Sequence, residues 1–115
     1  MPELRLKKVE TLLQQEISIM INTNKVKDPR VSTLISVFRA EVSKDLNYAK
    51  IYVSGMVEEE QIEKSVHALN HAAGFIQAML RKRLRIKKIP RLSFFQDRSI
   101  EEGFIINKKI EGLIS

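Results

Sequence analysis

The sequence contains no cysteine and no tryptophan, and only three prolines and four glycines among its 115 residues. Without cysteine the chain cannot form a disulfide, offer a thiolate nucleophile or build a zinc site on sulfur. The four glycines are isolated from one another, which excludes a glycine-rich loop that cradles phosphate. No run approaches the roughly 18 apolar residues of a membrane span, and the N-terminus lacks an apolar signal-peptide region. We therefore expect a cytoplasmic protein without membrane segments.

Residues that suit catalysis or metal binding are also scarce. His67 and His71 are four positions apart, a spacing that suits a metal on a helix face, but no glutamate adjoins His67 and no third ligand is apparent. Ordinary surface histidines are the simpler interpretation. The glutamates at 58–60 fit a helix start better than an acid/base pair, because carboxylates suit the positive end of the helix dipole. The sequence predicts no catalytic residue, no metal and no cofactor, and favours a binding module.

Acidic residues are outnumbered, since 20 lysines and arginines face 14 aspartates and glutamates, for a formal net charge of +6. The commonest polyanion that such a protein meets is nucleic acid, although a basic surface that is merely solvated is the simpler alternative. The arrangement of the charges favours nucleic acid. Between residues 81 and 91 seven cations occur without an acid, and the helix dipole accounts for only one or two of them.

These cations are predicted to contact successive phosphates of an RNA, with a strong salt dependence that arises from counterion release. The run contains no aromatic residue, so base stacking is not its expected mechanism. A second, weaker basic patch lies on the first predicted helix. The predicted RNA-binding residues are Arg81, Lys82, Arg83, Arg85, Lys87 and Lys88, and the secondary patch is Arg5, Lys7 and Lys8.

A long helical segment precedes the basic run and contains an interruption. Between residues 61 and 84 apolar residues recur at steps of three and four, which is the period of a helix that buries one stripe. Glycine inside a helix costs roughly 1 kcal/mol relative to alanine, so Gly74 marks a bend or permits a close approach. The stripe is Ile62, Val66, Leu69, Ala73, Ile76, Leu80 and Leu84, and the predicted kink is Ala72, Ala73 and Gly74.

The remaining pattern predicts an α+β fold with the order α-β-β-α-α-β-α. A helix covers residues 4–21, strands cover 31–42, 48–54 and 92–97, and a last helix follows Ser99. In the first strand, Leu34, Phe38, Ala40 and Val42 are expected on one side. The tight turn between the first two strands predicts an antiparallel hairpin, and the helical crossover predicts a parallel third strand. The expected product is a three-stranded mixed sheet with helices on one face.

With these features assembled, the chain resembles the ribosome-binding factor A family. That family is similar to type II KH domains, but a helix-kink-helix with Ala-x-Gly replaces their Gly-x-x-Gly loop. The resemblance covers nearly the whole chain and implies one KH-like domain over residues 1–115. It rests on Asp28-Pro29-Arg30-Val31, Ser43-Lys44-Asp45-Leu46, Ala72-Ala73-Gly74, Arg81-Lys82-Arg83-Leu84-Arg85, Pro90 and Phe94.

The resemblance implies a non-enzymatic assembly factor that binds the immature 30S small ribosomal subunit and assists processing and maturation of 16S rRNA. It also implies a special importance for growth in the cold and release once the subunit matures. Without Gly-x-x-Gly, recognition of shape and phosphates is expected rather than the reading of a single strand. An assembly GTPase is a further candidate partner, and a monomer is expected.

Other classes of function stay open on the sequence alone. A protein–protein adaptor on the ribosome would bind in a way that survives ribonuclease treatment and rising salt. A general basic nucleic-acid-binding module is a further alternative. A small hydrolase acting on RNA would turn over its substrate, for which the sequence offers no acid/base set.

Overall fold

The structure, a computed structural model, describes residues 2–99. Its elements are α1 (Pro2–Asn22), β1 (Ile35–Val42), β2 (Tyr48–Gly55), α2 (Glu59–His71), α3 (Ala73–Arg83) and β3 (Arg91–Gln96). This order confirms the predicted α-β-β-α-α-β succession. The final helix that the sequence predicts after Ser99 lies outside the described residues.

The three strands form one mixed sheet in the order β1-β2-β3. β1 and β2 pair as an antiparallel hairpin, whereas β2 and β3 are parallel because α2 and α3 carry the chain from one to the other. Both pairings confirm the prediction. The helices pack on one face, where the alternate side chains of each strand are buried. The largest buried side chains are Leu13, Ile17, Met20, Ile21, Ile35, Ile51, Leu69, Ile76, Leu80 and Phe94.

The predicted start of the first strand is wrong. β1 begins at Ile35, and residues 31–34 form turns instead of a strand. The backbone of this segment bonds to helices rather than to β2: the Ser32 N–H donates to the Ser65 hydroxyl at 3.0 Å, and the Asn22 amide donates to the Thr33 carbonyl at 2.8 Å. The apolar character of residues 31–34 gives no information about hydrogen-bond partners on helices that are distant in the sequence.

The predicted faces of β1 are also partly wrong. A β-bulge lies between Val37 and Arg39, where the pairing register with β2 shifts. Val37 and Val42 are both buried, while Phe38 and Arg39 are both exposed. An extra residue in one strand reverses the in–out alternation beyond it, so Phe38 does not share the face of Val42.

Polar side chains of α1 cover the free edge of β1. The Glu10 carboxylate accepts the Val42 N–H at 2.8 Å, and the Ser18 hydroxyl accepts the Val37 N–H at 2.9 Å. The Asn22 amide donates to a β1 carbonyl at the start of the strand. The unpaired backbone N–H and C=O groups of an edge strand can pair with strands of other molecules. These contacts therefore both position α1 and protect the edge of β1 from such pairing.

Candidate nucleic-acid interface

The kink predicted between the two helical halves is present. α2 ends at His71 and α3 begins at Ala73, with Ala72 between them at φ −92° and ψ 7° instead of the usual helical ψ of about −42°. The predicted apolar stripe continues across the break and faces the sheet. Its members Ile62, Leu69, Ile76, Leu80 and Leu84 are buried, and Val66 and Ala73 are half-buried.

Gly74 does not permit a close approach of two segments. A Cβ atom placed on it would meet no atom within 4 Å, and its backbone does not lie in the left-handed region. The residue is exposed in the first turn of α3, two positions after the break. The sequence offered two interpretations of Gly74, a bend or a close approach, and only its position beside the bend agrees with the structure.

Two amide side chains hold the helical halves against the free edge of β3. On α2, the Asn70 amide donates to the Phe94 carbonyl at 2.9 Å and accepts the Phe94 N–H at 2.7 Å. On α3, the Gln77 amide oxygen accepts the Leu92 N–H at 3.1 Å. Because the two helices bond to positions two residues apart on one strand, β3 fixes their relative orientation. Sequence reasoning missed both amides, since polar residues on a helix usually indicate a solvated face.

After the end of α3, the basic run continues as a segment that is anchored to the core and is not a free loop. Leu84 has extended backbone angles, φ −108° and ψ 137°, and ends the helix. Leu84 and Ile89 are buried and Ile86 is half-buried, so the apolar residues between the charges anchor the segment in the core. The charged side chains are thereby held at the surface in fixed order.

Segment 83–88, α1 and the turn between β1 and β2 enclose a groove of about 710 Å³. Six cationic side chains and one carboxylate, Glu16, line it, and its apolar lining includes Leu12, Leu46 and Ile86. Four cations come from the predicted run and two from the predicted secondary patch. The cationic lining residues are Arg5, Lys8, Arg83, Arg85, Lys87 and Lys88.

The two predicted patches are therefore largely one surface, which we call the basic groove. Of the remaining predicted residues, Arg81 lines an adjoining hollow of about 450 Å³ with Lys87 and Lys88. Lys82 and Lys7 are exposed but line neither hollow. The sequence alone could not show that the two patches form one surface, because their residues lie far apart in the chain. Glu16 and Arg83, which form an ion pair at the groove, are 67 residues apart.

The β1–β2 turn forms the third wall of the groove. Leu46 lies there in the left-handed region at φ 62°, a strained conformation for a branched side chain, and its side chain is half-buried against the core. The Lys88 ammonium contacts the side-chain oxygen of Asn47. A hydrogen bond from the Ser43 hydroxyl is the main reason that the pKa of Asp45 is lowered, and the charge of Lys88 adds to it.

The histidines and glutamates that the sequence raised as alternatives lie away from this groove. His67 and His71 are exposed on α2, and residues 2–99 contain no group of three or more histidines and carboxylates placed to hold a metal. Glu59 and Glu60 occupy the first turn of α2, exposed to solvent. None of the helices among residues 2–99 combines the length and the apolar character that crossing a membrane requires.

Comparisons with known proteins agree with the fold. A family model described as ribosome-binding factor A matches residues 5–110. The ribosome-binding factor A of Treponema denticola is 43% identical over 113 residues, which span 98% of this chain and 86% of that protein. The crystal structure of ribosome-binding factor A from Thermus thermophilus superposes with a TM-score of 0.65 at 29% identity, covering 82% of this chain and 98% of that one.

A second similar structure is a homology model of the Thermus thermophilus factor, fitted into a cryo-electron microscopy map of its complex with the 30S subunit. It superposes with a TM-score of 0.56 at 29% identity and covers 76% of this chain and 93% of that one. The extent of the family match and the level of identity lead to one conclusion: this chain belongs to the ribosome-binding factor A family.

Proposed function

We propose that this chain binds the immature small ribosomal subunit and assists maturation of its 16S rRNA without catalysing a reaction. The observation that carries the proposal is the convergence of six cations on one groove that contains a single carboxylate. Such a surface suits the closely spaced phosphates of a folded RNA. Family membership and the placement of the Thermus thermophilus relative on the 30S subunit support this target.

Two of the six cations of the groove are held in place by side-chain contacts. Glu16 holds Arg83, Asn47 holds Lys88, and the buried side chain of Leu84 anchors the segment between them. Fixed cations lose little conformational freedom when they bind, so shape and charge complementarity are sufficient for recognition. The proposal includes a cytoplasmic monomer, an assembly GTPase as a further partner and a role at low temperature, the last of which the family resemblance implies.

The test is a charge reversal confined to the groove. Lys8, Arg85 and Lys87 are exposed, line the groove from both sides and form no ion pair within the described residues. Replacing all three with glutamate should nearly abolish binding to purified immature small subunits at moderate salt, while urea unfolding is little changed. Binding is measured by co-sedimentation over a range of salt concentrations.

The control reverses three exposed lysines elsewhere, Lys25, Lys27 and Lys64, with the same change in net charge; of these, Lys64 loses an exposed ion pair with Glu60, which is worth less than about 1 kcal/mol. This variant should keep most of its affinity. Undiminished binding of the groove variant would reject the groove as the site, and equal losses in both variants would indicate a general charge effect. Binding that survives ribonuclease treatment of the subunit would indicate a protein adaptor instead.

A further inference from the structure

The sheet face opposite the helices carries a row of stacked side chains. Tyr52 and Phe95 are register partners on β2 and β3, and their ring centroids are 5.6 Å apart at an interplanar angle of 30°. Arg39, the partner of Tyr52 on β1, places its guanidinium carbon 3.9 Å from the centroid of the Tyr52 ring. The row thus crosses all three strands.

This row is accessible to a ligand. The exposed fraction of Phe95 is 42% and that of Tyr48, two rows away on the same face, is 58%. Within residues 2–99, every helix packs on the opposite face of the sheet, where the alternate strand residues are buried. We call the surface formed by Arg39, Tyr48, Lys50, Tyr52, Arg91 and Phe95 the open sheet face.

The open sheet face carries three cations, Arg39, Lys50 and Arg91, against one exposed carboxylate, Glu41, which is the register partner of Lys50. Lys50 and Arg91 are exposed and form no ion pair within the described residues. Arg39 is held between Glu41, at 3.0 Å, and the buried carboxylate of Asp97, at 3.5 Å. Aromatic rings and a guanidinium plane among unpaired cations are the features on which unpaired bases stack while their phosphates are neutralised.

The position of the face relative to the basic groove supports the same ligand. The Arg91 N–H donates to the Asn47 carbonyl at 2.8 Å, and the Asn47 side chain contacts Lys88 in the groove. Tyr48 is the register partner of Arg91, so this end of the open sheet face adjoins the groove. Tyr52 lies four residues further along β2, roughly 13 Å away.

We propose that the open sheet face binds unpaired bases of single-stranded RNA by stacking them on Tyr48, Phe95 and the guanidinium of Arg39. A strand whose phosphates lie in the basic groove can continue past Arg91 onto the rings. The face thereby adds base contacts to a protein whose basic run contains no aromatic residue. The proposal does not depend on the ribosomal target, since it concerns single-stranded RNA of any origin.

The chain supplies its own probe for this test. It has no tryptophan and only two tyrosines, Tyr48 and Tyr52, which both lie on the open sheet face. Titrating the full chain with a short oligouridylate should quench the tyrosine emission saturably, because stacked bases quench phenol fluorescence. An abasic oligonucleotide of the same length keeps the phosphates but has no bases, and it should leave the emission nearly unchanged.

Pairs of variants distinguish the contribution of the Phe95 ring to oligouridylate binding from an effect of the substitution on folding. Phe95→Ala should weaken oligouridylate binding by roughly 5- to 100-fold, the range expected for the loss of one stacked base. Phe95→Tyr keeps the ring and should retain the affinity. Phe75→Ala removes another exposed ring, on α3 and away from the sheet, and should have no effect on oligouridylate binding.

Three results would overturn the proposal: no quenching, equal quenching by the abasic strand, or unchanged affinity in Phe95→Ala. A Phe95→Ala variant that binds oligouridylate normally but loses ribonuclease-resistant binding to small subunits would assign the face to a protein partner. Failure of the groove variant to lose subunit binding would reject the proposed function without affecting the tyrosine quenching, so the two failures are distinguishable.

Discussion

Arg83 at the end of α3 donates from Nε to the Oε2 atom of Glu16 in α1 at 2.8 Å, across 67 residues of sequence. The pair joins the last turn of the kinked helical unit to the N-terminal helix. It brings Arg85 and Lys87 next to Arg5 and Lys8, which makes one groove of two separate basic segments. Glu16 is also the one carboxylate among the lining residues of the groove, so it opposes the binding of an anion there.

Glu16→Gln should therefore strengthen RNA binding, because the glutamine amide oxygen can still accept the Arg83 Nε–H while the negative charge is removed. The interaction of two unit charges a few ångströms apart in water is about 1 kcal/mol, so affinity for small subunits should rise by about fivefold at low salt. The free energy of unfolding should fall by less than about 1 kcal/mol, because the pair is partly exposed. Affinity is measured against salt concentration, with Glu63→Gln on α2, outside the groove, as the control. Weaker binding of Glu16→Gln would mean that positioning Arg83 matters more than the added charge.

The same substitution should have opposite effects at two glycines. A Cβ on Gly55 would lie 2.7 Å from the Leu34 carbonyl oxygen, so Gly55→Ala forces the backbone to move and should cost roughly 1–3 kcal/mol of stability. Gly74→Ala meets no atom and improves helix propensity, so it should gain up to about 1 kcal/mol. Urea unfolding of both variants checks the pair. A loss of stability at Gly74 would show that the helix break needs the glycine itself.

Removing the amide of Asn70 should loosen the kinked unit. Asn70→Ala leaves the N–H and carbonyl of the buried Phe94 without their partner, which should cost about 1–3 kcal/mol in the free energy of unfolding. Amide hydrogen exchange should show faster exchange at Phe94 than in the wild type. Gln61→Ala, an exposed change near the start of the same helix, is the control and should alter stability by less than about 0.5 kcal/mol.

Asp28 should contribute a stability that is lost in acid. The Arg30 side chain donates hydrogen bonds to its carboxylate, with a further one from the Arg30 N–H, and together they lower its pKa from 3.8 to about 2. A carboxyl whose pKa is lowered by folding stabilises the folded state above its unfolded pKa and loses that effect as pH falls through the folded value. The difference in stability between the wild type and Asp28→Asn should be constant above about pH 5 and shrink as the pH falls toward 2. A difference that does not change with pH would contradict this assignment.

Patterns of period and composition predicted most of the fold. The apolar stripes of α1 and of the helical unit, the turn chemistry before Tyr48 and the crossover to β3 follow from rules that act over a few residues. The bulge at Phe38 and the start of β1 at Ile35 instead of Val31 do not follow from such rules. Residues 32 and 33 bond to α2 and α1, and beside the bulge the Ser18 hydroxyl of α1 accepts the Val37 N–H; these contacts leave no trace in the local alternation of apolar residues.

The candidate site was predictable as a list of charges but not as a surface. The basic run was identified residue by residue, yet the groove requires Arg5 and Lys8 from the other end of the described chain. The aromatic pair Tyr52 and Phe95 could have been suspected from outward positions in two strands. Their stacking still depends on the register between β2 and β3, which the strand pairing sets.

The sequence by itself determined the order of the elements, the buried stripe of each helix, the cationic character of residues 81–91 and the family to which they point. These properties depend on neighbours three or four positions away and on residue type. Only the tertiary structure decided that α1 and the basic run share one groove, that amides on both helical halves fix the kink to β3, and that aromatic rings remain exposed on the sheet. Those relationships join residues far apart in the chain, and packing of the whole core sets the distances between them.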